Sequence, residues 1–269
     1  MKTASNLDGI INFHKPAGLT SAHALHRVRG ITRQRKSGHT GTLDREAEGV
    51  LVLCMGRATK LVERVMDLPK VYRTVARLDA TSSGFDSEGE LTPVDVAAPP
   101  DLASVRAALA SFEGRIEQVP PAFSALKVRG QPAYKLSRAG KPPELEARTV
   151  EIYWIHLWRY EWPVIDFEVT CGRGTYIRAL IRDLGAVLGV GGYLTTLVRD
   201  AVGPFTLANS WTLERLETAH GTGAYLLPLD QARALLEEGP KRIPPRPTDN
   251  QDASAPAADS HDDTPNQPA

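Results

Sequence analysis

Gly38-His39-Thr40-Gly41-Thr42-Leu43-Asp44 is followed, after five intervening residues, by Val50-Leu51-Val52-Leu53-Cys54-Met55. The second stretch is apolar without alternation and short, which fits a strand buried on both faces. The first belongs to a polar, glycine-bearing segment, 31–48, that reads as a long loop. Loops of that length without secondary structure of their own are usually functional or disordered. Asp44 stands at the end of the loop, before the buried strand. A carboxylate there can act as nucleophile or general acid–base. It can equally be an ordinary turn or helix-cap residue, the commoner case. His39 has the same two readings, proton shuttle or hydrogen-bonded loop residue.

Upstream, Ile10 to Phe13 reads as a short strand, and His14-Lys15-Pro16-Ala17-Gly18 as a turn. Ser21 is placed to cap a helix that runs through Arg29 and stops at Gly30. Downstream, Thr59 to Met66 reads as a short helix. Val71 to Asp79 alternates, with Tyr72, Thr74, Ala76 and Leu78 on one face. Asp101 caps a helix bearing Leu102, Val105, Leu109 and Phe112, which Gly114 stops. Residues 118–148 hold Pro, Gly, basic and aromatic residues and read as an extended loop. Strands follow near 150–158 and 164–171. A helix spans Thr175–Leu188, with Ile177, Leu180, Ile181 and Leu184 on one side and Gly189 past its end. Strands and helices mix without a βαβ rhythm, so the fold class is α+β.

The formal charge of zero conceals an asymmetry. Residues 1–78 carry 14 Lys+Arg against 6 Asp+Glu, a net of +8, while 247–269 carry five Asp and no Lys or Arg. The basic segment suits a polyanion. The Pro-, Asp- and Ala-rich tail has almost nothing to bury and reads as disordered. Cys54 and Cys171 lie in apolar runs and read as buried reduced thiols, neither a disulfide framework nor a zinc site. No leader or membrane span is read, so the expected setting is cytoplasmic. There is no P-loop, no dinucleotide fingerprint, no nucleophile elbow and no metal-ligand spacing, so the expected chemistry uses neither nucleotide cofactor nor metal.

Two further stretches can carry chemistry. Cys171-Gly172-Arg173-Gly174-Thr175-Tyr176-Ile177-Arg178 is a strand end that opens a helix and projects Tyr176 and Arg178. Arg178 can pair with a buried carboxylate and keep it ionised. The loop Val119-Pro120-Pro121-Ala122-Phe123-Ser124-Ala125-Leu126-Lys127-Val128-Arg129-Gly130 interleaves charge with Phe123, and Tyr134 follows, which suits looped RNA.

These stretches resemble, in order and approximate spacing, the motifs of the TruB family of tRNA pseudouridine synthases. The matching blocks are Asn12 to Ser21, Gly38 to Gly49, Lys70 to Arg73, Val119 to Gly130, Gly174 to Arg178, and Leu197 to Phe205, within about residues 9–230. The resemblance implies a pseudouridine-synthase-like core with a mixed, mainly antiparallel sheet flanked by helices and loops. It implies isomerisation of uridine to pseudouridine at position 55, in the T-arm loop of tRNA, by a monomer without cofactor or metal. Asp44 would be the essential carboxylate, through covalent attack or through a glycal route. Tyr72 would stack on the target base and can serve as a base. Arg178 would pair with the carboxylate, and Tyr176 and Leu197 would line the pocket. His39 would help splay the RNA loop, and the Lys15–Pro16 turn would pack beside the site.

The expected layout is a catalytic core over 1–238 with an RNA-gripping loop at about 118–148, and a disordered tail over 239–269. The RNA-binding domain of PUA type that often follows the core in such enzymes is expected to be absent. Where the family has uncharged residues after the aspartate, this chain has Arg45-Glu46-Ala47-Glu48. The added carboxylates would raise the pKa of Asp44 or weaken RNA binding unless Arg45 and Arg178 compensate. That departure leaves an alternative: a tRNA-binding or tRNA-folding protein whose catalysis is weak or lost.

Overall fold

The computed structural model describes residues 7–238, apart from 125, 129 and 142, together with 243–248. The chain begins with strand β1 (Gly9–Lys15), helix α1 (Ser21–Thr32), the short β2 (Ser37–His39) and β3 (Glu48–Met55). A 3-10 turn over Gly56–Leu61 leads to α2 (Val62–Met66) and β4 (Lys70–Arg77). A separate ribbon of β5 (Ala80–Ser82) and β6 (Leu91–Pro93) precedes α3 (Leu102–Ala110) and β7 (Gly114–Gln118). Next come a small hairpin, β8 (Lys127–Val128) with β9 (Gln131–Pro132), and α4 (Ala133–Arg138). The long β10 (Arg148–Glu161) and β11 (Val164–Cys171) lead to α5 (Ile177–Leu188) and β12 (Tyr193–Val202). Then follow β13 (Phe205–Thr206), α6 (Leu213–Thr218), β14 (Leu227–Pro228) and α7 (Leu229–Glu238).

Ten strands form one sheet in the order β14-β1-β3-β12-β4-β11-β10-β7, with β2 on β3 and β13 on β12. Its pairings are antiparallel except that of β12 with β3. This is the expected α+β, mainly antiparallel core. The parallel contact is short, Val198 beside Glu48 and Arg199 beside Gly49, and forms a seam between two halves of the sheet. Gly49 makes it possible. Its φ is +108°, and a Cβ there would stand 2.3 Å from the Arg199 carbonyl oxygen. Any side chain would push the seam apart.

The apolar run of β3 is explained by burial on both faces. Leu51, Leu53 and Met55 pack with Ile11, Phe13 and the Ala24, Leu25 and Val28 face of α1. Val50, Val52 and Cys54 pack with Val65 of α2 and with Leu229, Ala232 and Leu236 of α7. In the other half, alternate residues of β4 and β11 meet α3 and α5, through Leu109 and through the predicted Ile177, Leu180, Ile181 and Leu184. Each such side chain, fully buried, contributes about 1.5–3 kcal/mol. Leu53→Ala would cost more than that transfer term, because both faces of β3 are packed and cannot collapse onto the gap.

Several local expectations are corrected. Thr20, not Ser21, caps α1, accepting a hydrogen bond from the His23 amide. The Ser21 hydroxyl is engaged elsewhere, with Leu43. The helix continues through Gly30 to Thr32 and ends on Arg33 in the left-handed region. The 31–48 loop contains β2, and 118–148 contains a hairpin and a helix. The tail and the absence of a further domain fall largely outside the described residues. Within the tail, Pro244 accepts a hydrogen bond from the Trp154 indole (2.8 Å), and Arg246 pairs with Glu113. Cys54 and Cys171 are both free and buried, and burial pushes their thiols up to about 12 and about 11. Among the described residues no helix is long and apolar enough to cross a membrane, and no cluster of side chains could hold a metal ion.

Candidate active site

The sheet's seam also delivers the candidate carboxylate. The chain entering β3 bears Asp44, and α5 leaves β11 with Arg178 in its first turn, 134 residues later in sequence. Arg178 Nε lies 2.9 Å from one Asp44 carboxylate oxygen and its Nη2 3.0 Å from the other. This is a two-point, charge-assisted grip. The guanidinium is 6 % exposed at the side chain, whereas that of Asp44 is 43 % exposed. The arginine is therefore scaffold, and the carboxylate faces the cleft. Arg178 also donates through Nη1 to Asp86 and to the Gly84 carbonyl, each at 3.0 Å, and through Nη2 to the Phe123 carbonyl at 2.8 Å. One cation thus holds two carboxylates and two carbonyls from three segments of the chain. Burial pushes the Asp86 carboxyl up, with Arg178 opposing.

The Asp44 loop is fixed by buried side chains that reach its backbone. Lys15, fully buried, donates through Nζ to the carbonyls of Pro16 (2.8 Å), Leu19 (2.7 Å) and Arg45 (3.1 Å). Burial lowers its pKa to about 8, although Glu46 and Asp44 pull it upward. Ser21 both donates to the Leu43 carbonyl (3.0 Å) and accepts from the Leu43 amide (2.9 Å). Arg199, 2 % exposed, donates to the carbonyls of Val50 (2.6 Å) and Gly41 (3.2 Å). Leu43 and Ala47 insert into the core on either side of Asp44.

The cleft beside Asp44 is lined by Ala47, Asp86, Arg178, Leu194 and Leu197, with Glu46 on its rim. Tyr72 lies on β4 opposite Arg199, nearly buried. Burial raises its pKa, with Arg199 opposing and Asp44 adding to the rise. Tyr176 precedes α5, and burial raises its pKa likewise. Six of the seven predicted residues, Asp44, Arg178, Tyr72, Tyr176, Leu197 and Lys15, are thereby brought to one region. His39 lies on β2, paired with Leu53. Burial lowers its pKa, with Arg199 and Arg29 reinforcing, so the neutral imidazole is favoured. Arg45 lies 3.5 Å from Glu46 in an exposed pair and bonds the Gly18 carbonyl. A cavity of about 400 Å³ between α3, β10 and residues 246–248 contains none of these residues.

Three participants carried no local signal. Asp86 lies in a Gly-Phe-Asp turn, 92 residues from its arginine. Arg199 and Gln118 stand in no local pattern that singles them out, and only their burial among backbone groups distinguishes them. The basic N-terminal excess includes Arg33, Arg35 and Lys36, exposed on the turn between α1 and β2.

Comparison with known proteins places the chain in a family. Residues 29–177 match the TruB family pseudouridylate synthase N-terminal domain, and 178–232 the tRNA pseudouridylate synthase B C-terminal domain. The tRNA pseudouridine synthase B of Pseudomonas fluorescens (strain Pf0-1) is 45% identical over 234 residues, covering 84% of this chain and 75% of the relative. That of Ectopseudomonas mendocina (strain ymp) is 46% identical over 233 residues, covering 83% and 75%. A chain in the crystal structure of a Cbf5–Nop10–Gar1 complex superposes with a TM-score of 0.64 at 27% identity, over 84% of this chain and 61% of that one. A chain of an archaeal box H/ACA sRNP Nop10–Cbf5 complex gives 0.61 at 26%, over 84% and 59%. The protein thus spans three quarters of those synthases and about three fifths of these two solved chains. The chain belongs to the TruB family of pseudouridylate synthases.

Proposed function

We propose that this protein isomerises uridine to pseudouridine at position 55, in the T-arm loop of tRNA, with Asp44 as its catalytic carboxylate. The observation that carries the assignment is the two-point grip of a buried arginine on a half-exposed carboxylate at the mouth of a cleft. In such a setting the carboxylate is oriented and stays available to substrate. The reaction breaks the bond from ribose C1′ to uracil N1, turns the base, and joins C1′ to C5, while the proton on C5 leaves and N1 gains one. Nothing is added or lost, so no cofactor is required. The target base must leave its loop, at a cost of a few kcal/mol. Exposed cations such as Arg33, Arg35 and Lys36 can offset that cost by holding phosphates.

Within this reading Tyr72 and Leu197 bound the base, and Tyr176 closes the pocket beside Arg178. A base role for Tyr72 would need a phenolate, which burial disfavours. Its stacking role needs only the ring. His39, neutral, meets the RNA at the margin. The same reading places the protein in the cytoplasm as a monomer.

Incubation with an unmodified tRNA transcript, followed by mapping of pseudouridine along the product, tests the assignment. Product at the T-loop uridine is expected, and its absence overturns the reading. Asp44→Asn should lower turnover by about 10³-fold or more while tRNA binding persists. Equal turnover of variant and wild type would remove Asp44 from the chemistry.

A further inference from the structure

The Gln118 side chain is 1 % exposed and lies at the end of β7, where the 118–148 loop departs. Its amide bonds to both backbone groups of one distant residue. The Tyr176 amide donates to Gln118 Oε1 at 2.8 Å, and Gln118 Nε2 donates to the Tyr176 carbonyl at 3.2 Å. Tyr176 is the N-cap of α5 and has no side-chain cap of its own. The N-cap amide at this helix start is therefore held by a residue from the root of another loop, and the Tyr176 carbonyl takes the glutamine amide beside the first helical bond from the Leu180 amide (3.0 Å). The first turns of α5 reach the same loop twice more, from Arg182 to the Val119 carbonyl (3.0 Å) and from Arg178 to the Phe123 carbonyl (2.8 Å).

We propose that Gln118 is a positioning residue for the reaction. It fixes the backbone at Tyr176, two residues before the arginine that orients Asp44, and so ties the root of the RNA-gripping loop to the catalytic carboxylate. The inference rests on the assignment of Asp44 and Arg178 made above. The clamp needs one acceptor and one donor on one planar group, which glutamine supplies and glutamate supplies only when protonated. A leucine fills similar space and supplies neither.

Three measurements test it with the full chain and an unmodified tRNA transcript. For Gln118→Leu, kcat should fall about 10- to 100-fold, the scale of a small misplacement of reacting groups, with KM within about threefold. Hydrogen exchange at the Tyr176 amide should quicken while the Ile116 amide of β7 keeps its protection. For Gln118→Glu, kcat relative to wild type should rise as pH falls, because the protonated acid restores the donor to the Tyr176 carbonyl. If Gln118→Leu fails to unfold cooperatively, the Gln118→Glu profile decides alone. A pH-independent ratio for Gln118→Glu, or wild-type kcat in Gln118→Leu, overturns the proposal. A wild-type protein that makes no pseudouridine overturns the functional reading instead, and the exchange measurement still tests the clamp.

Discussion

The loop that carries Asp44 and the loop that follows Gln118 look alike in sequence, both polar and glycine-bearing, and are anchored in opposite ways. Between Thr40 and Arg45 backbone groups are held by a side chain or strand from elsewhere: Thr40 by Val52, Gly41 by Arg199, Leu43 by Ser21, and Arg45 by Lys15 and Gly18. The second loop is tied to the core at Gln118, Val119 and Phe123. Further on, the bonds among its described residues include several within the loop: Ala133 to Leu126, Tyr134 to Ser124, and Ser137 to Ala122. Local opening is easiest where few bonds cross to the core. The contrast fits two tasks. A reacting carboxylate must be placed to a fraction of an ångström, whereas a loop that admits RNA must open.

Arg178 is where this comparison is most easily broken, because its side chain bonds to both loops. Arg178→Met would leave Asp86 without its cation and free both Asp44 and the Phe123 carbonyl. Removing one partner of a buried ion pair costs about 3 kcal/mol or more, measurable by urea unfolding. The loss of turnover should reach about 10²-fold or beyond, as oriented electrostatic groups typically contribute. Arg178→Lys keeps the charge and cannot span two carboxylates with a single ammonium. Recovery of the wild-type rate in the lysine variant would mean that the Asp44 loop does not depend on the fork, and the claimed rigidity would fail.

How far such a site can be read in sequence depends on whether its cause is local. β4 was legible because Tyr72, Thr74, Ala76 and Leu78 keep a strict period of two. The core face and C-terminal end of α5 were legible because four apolar residues recur at helical spacing before a left-handed Gly189. β12 was not legible as a strand. Register shifts between Leu194 and Thr196 and between Arg199 and Ala201 break the alternation, so Leu194 and Leu197 face the same cleft although three residues apart. Ser21 offered a good cap chemically, and Leu43 claims it from 22 residues away. Asp44 had an ambiguous local setting, and only family motifs elsewhere in the chain favour the proposed catalytic role over a turn residue. Asp86 and Gln118 owe their roles to partners 92 and 58 residues distant, beyond any local pattern.

Lys15 offers a smaller test of the rigid loop, with a pH signature. Lys15→Met removes three donations to carbonyls, and at about 1 kcal/mol each the loss is roughly 2–3 kcal/mol, partly offset by relief of a buried charge. The folded pKa of about 8 lies below the ordinary 10.5, so between those values the unfolded chain binds more protons. Wild-type stability therefore gains a contribution from Lys15 as pH rises through that window, and loses it as pH falls toward 8. Lys15→Met lacks this contribution, so the stability gap between the two proteins should widen from pH 8 to pH 10. A gap that stays constant would show that Lys15 is not desolvated by the turn it holds.

The weakest effects belong to the self-contained loop, and they separate binding from placement. Phe123 is 37 % exposed, and Arg178 bonds its backbone carbonyl, so Phe123→Ala leaves that anchor in place. If the ring stacks on an RNA base, its loss should raise KM about fivefold, at the low end of stacking energies, with kcat within about twofold. Lys127 is exposed on β8 and offers a phosphate contact. Lys127→Ala should reduce the slope of log affinity against log salt by about 0.7–0.9, the share of one released counterion, whereas Phe123→Ala should leave the slope unchanged. A large fall in kcat for either variant would mean that the outer loop positions Asp44 after all, and the division of labour between the two loops would be wrong.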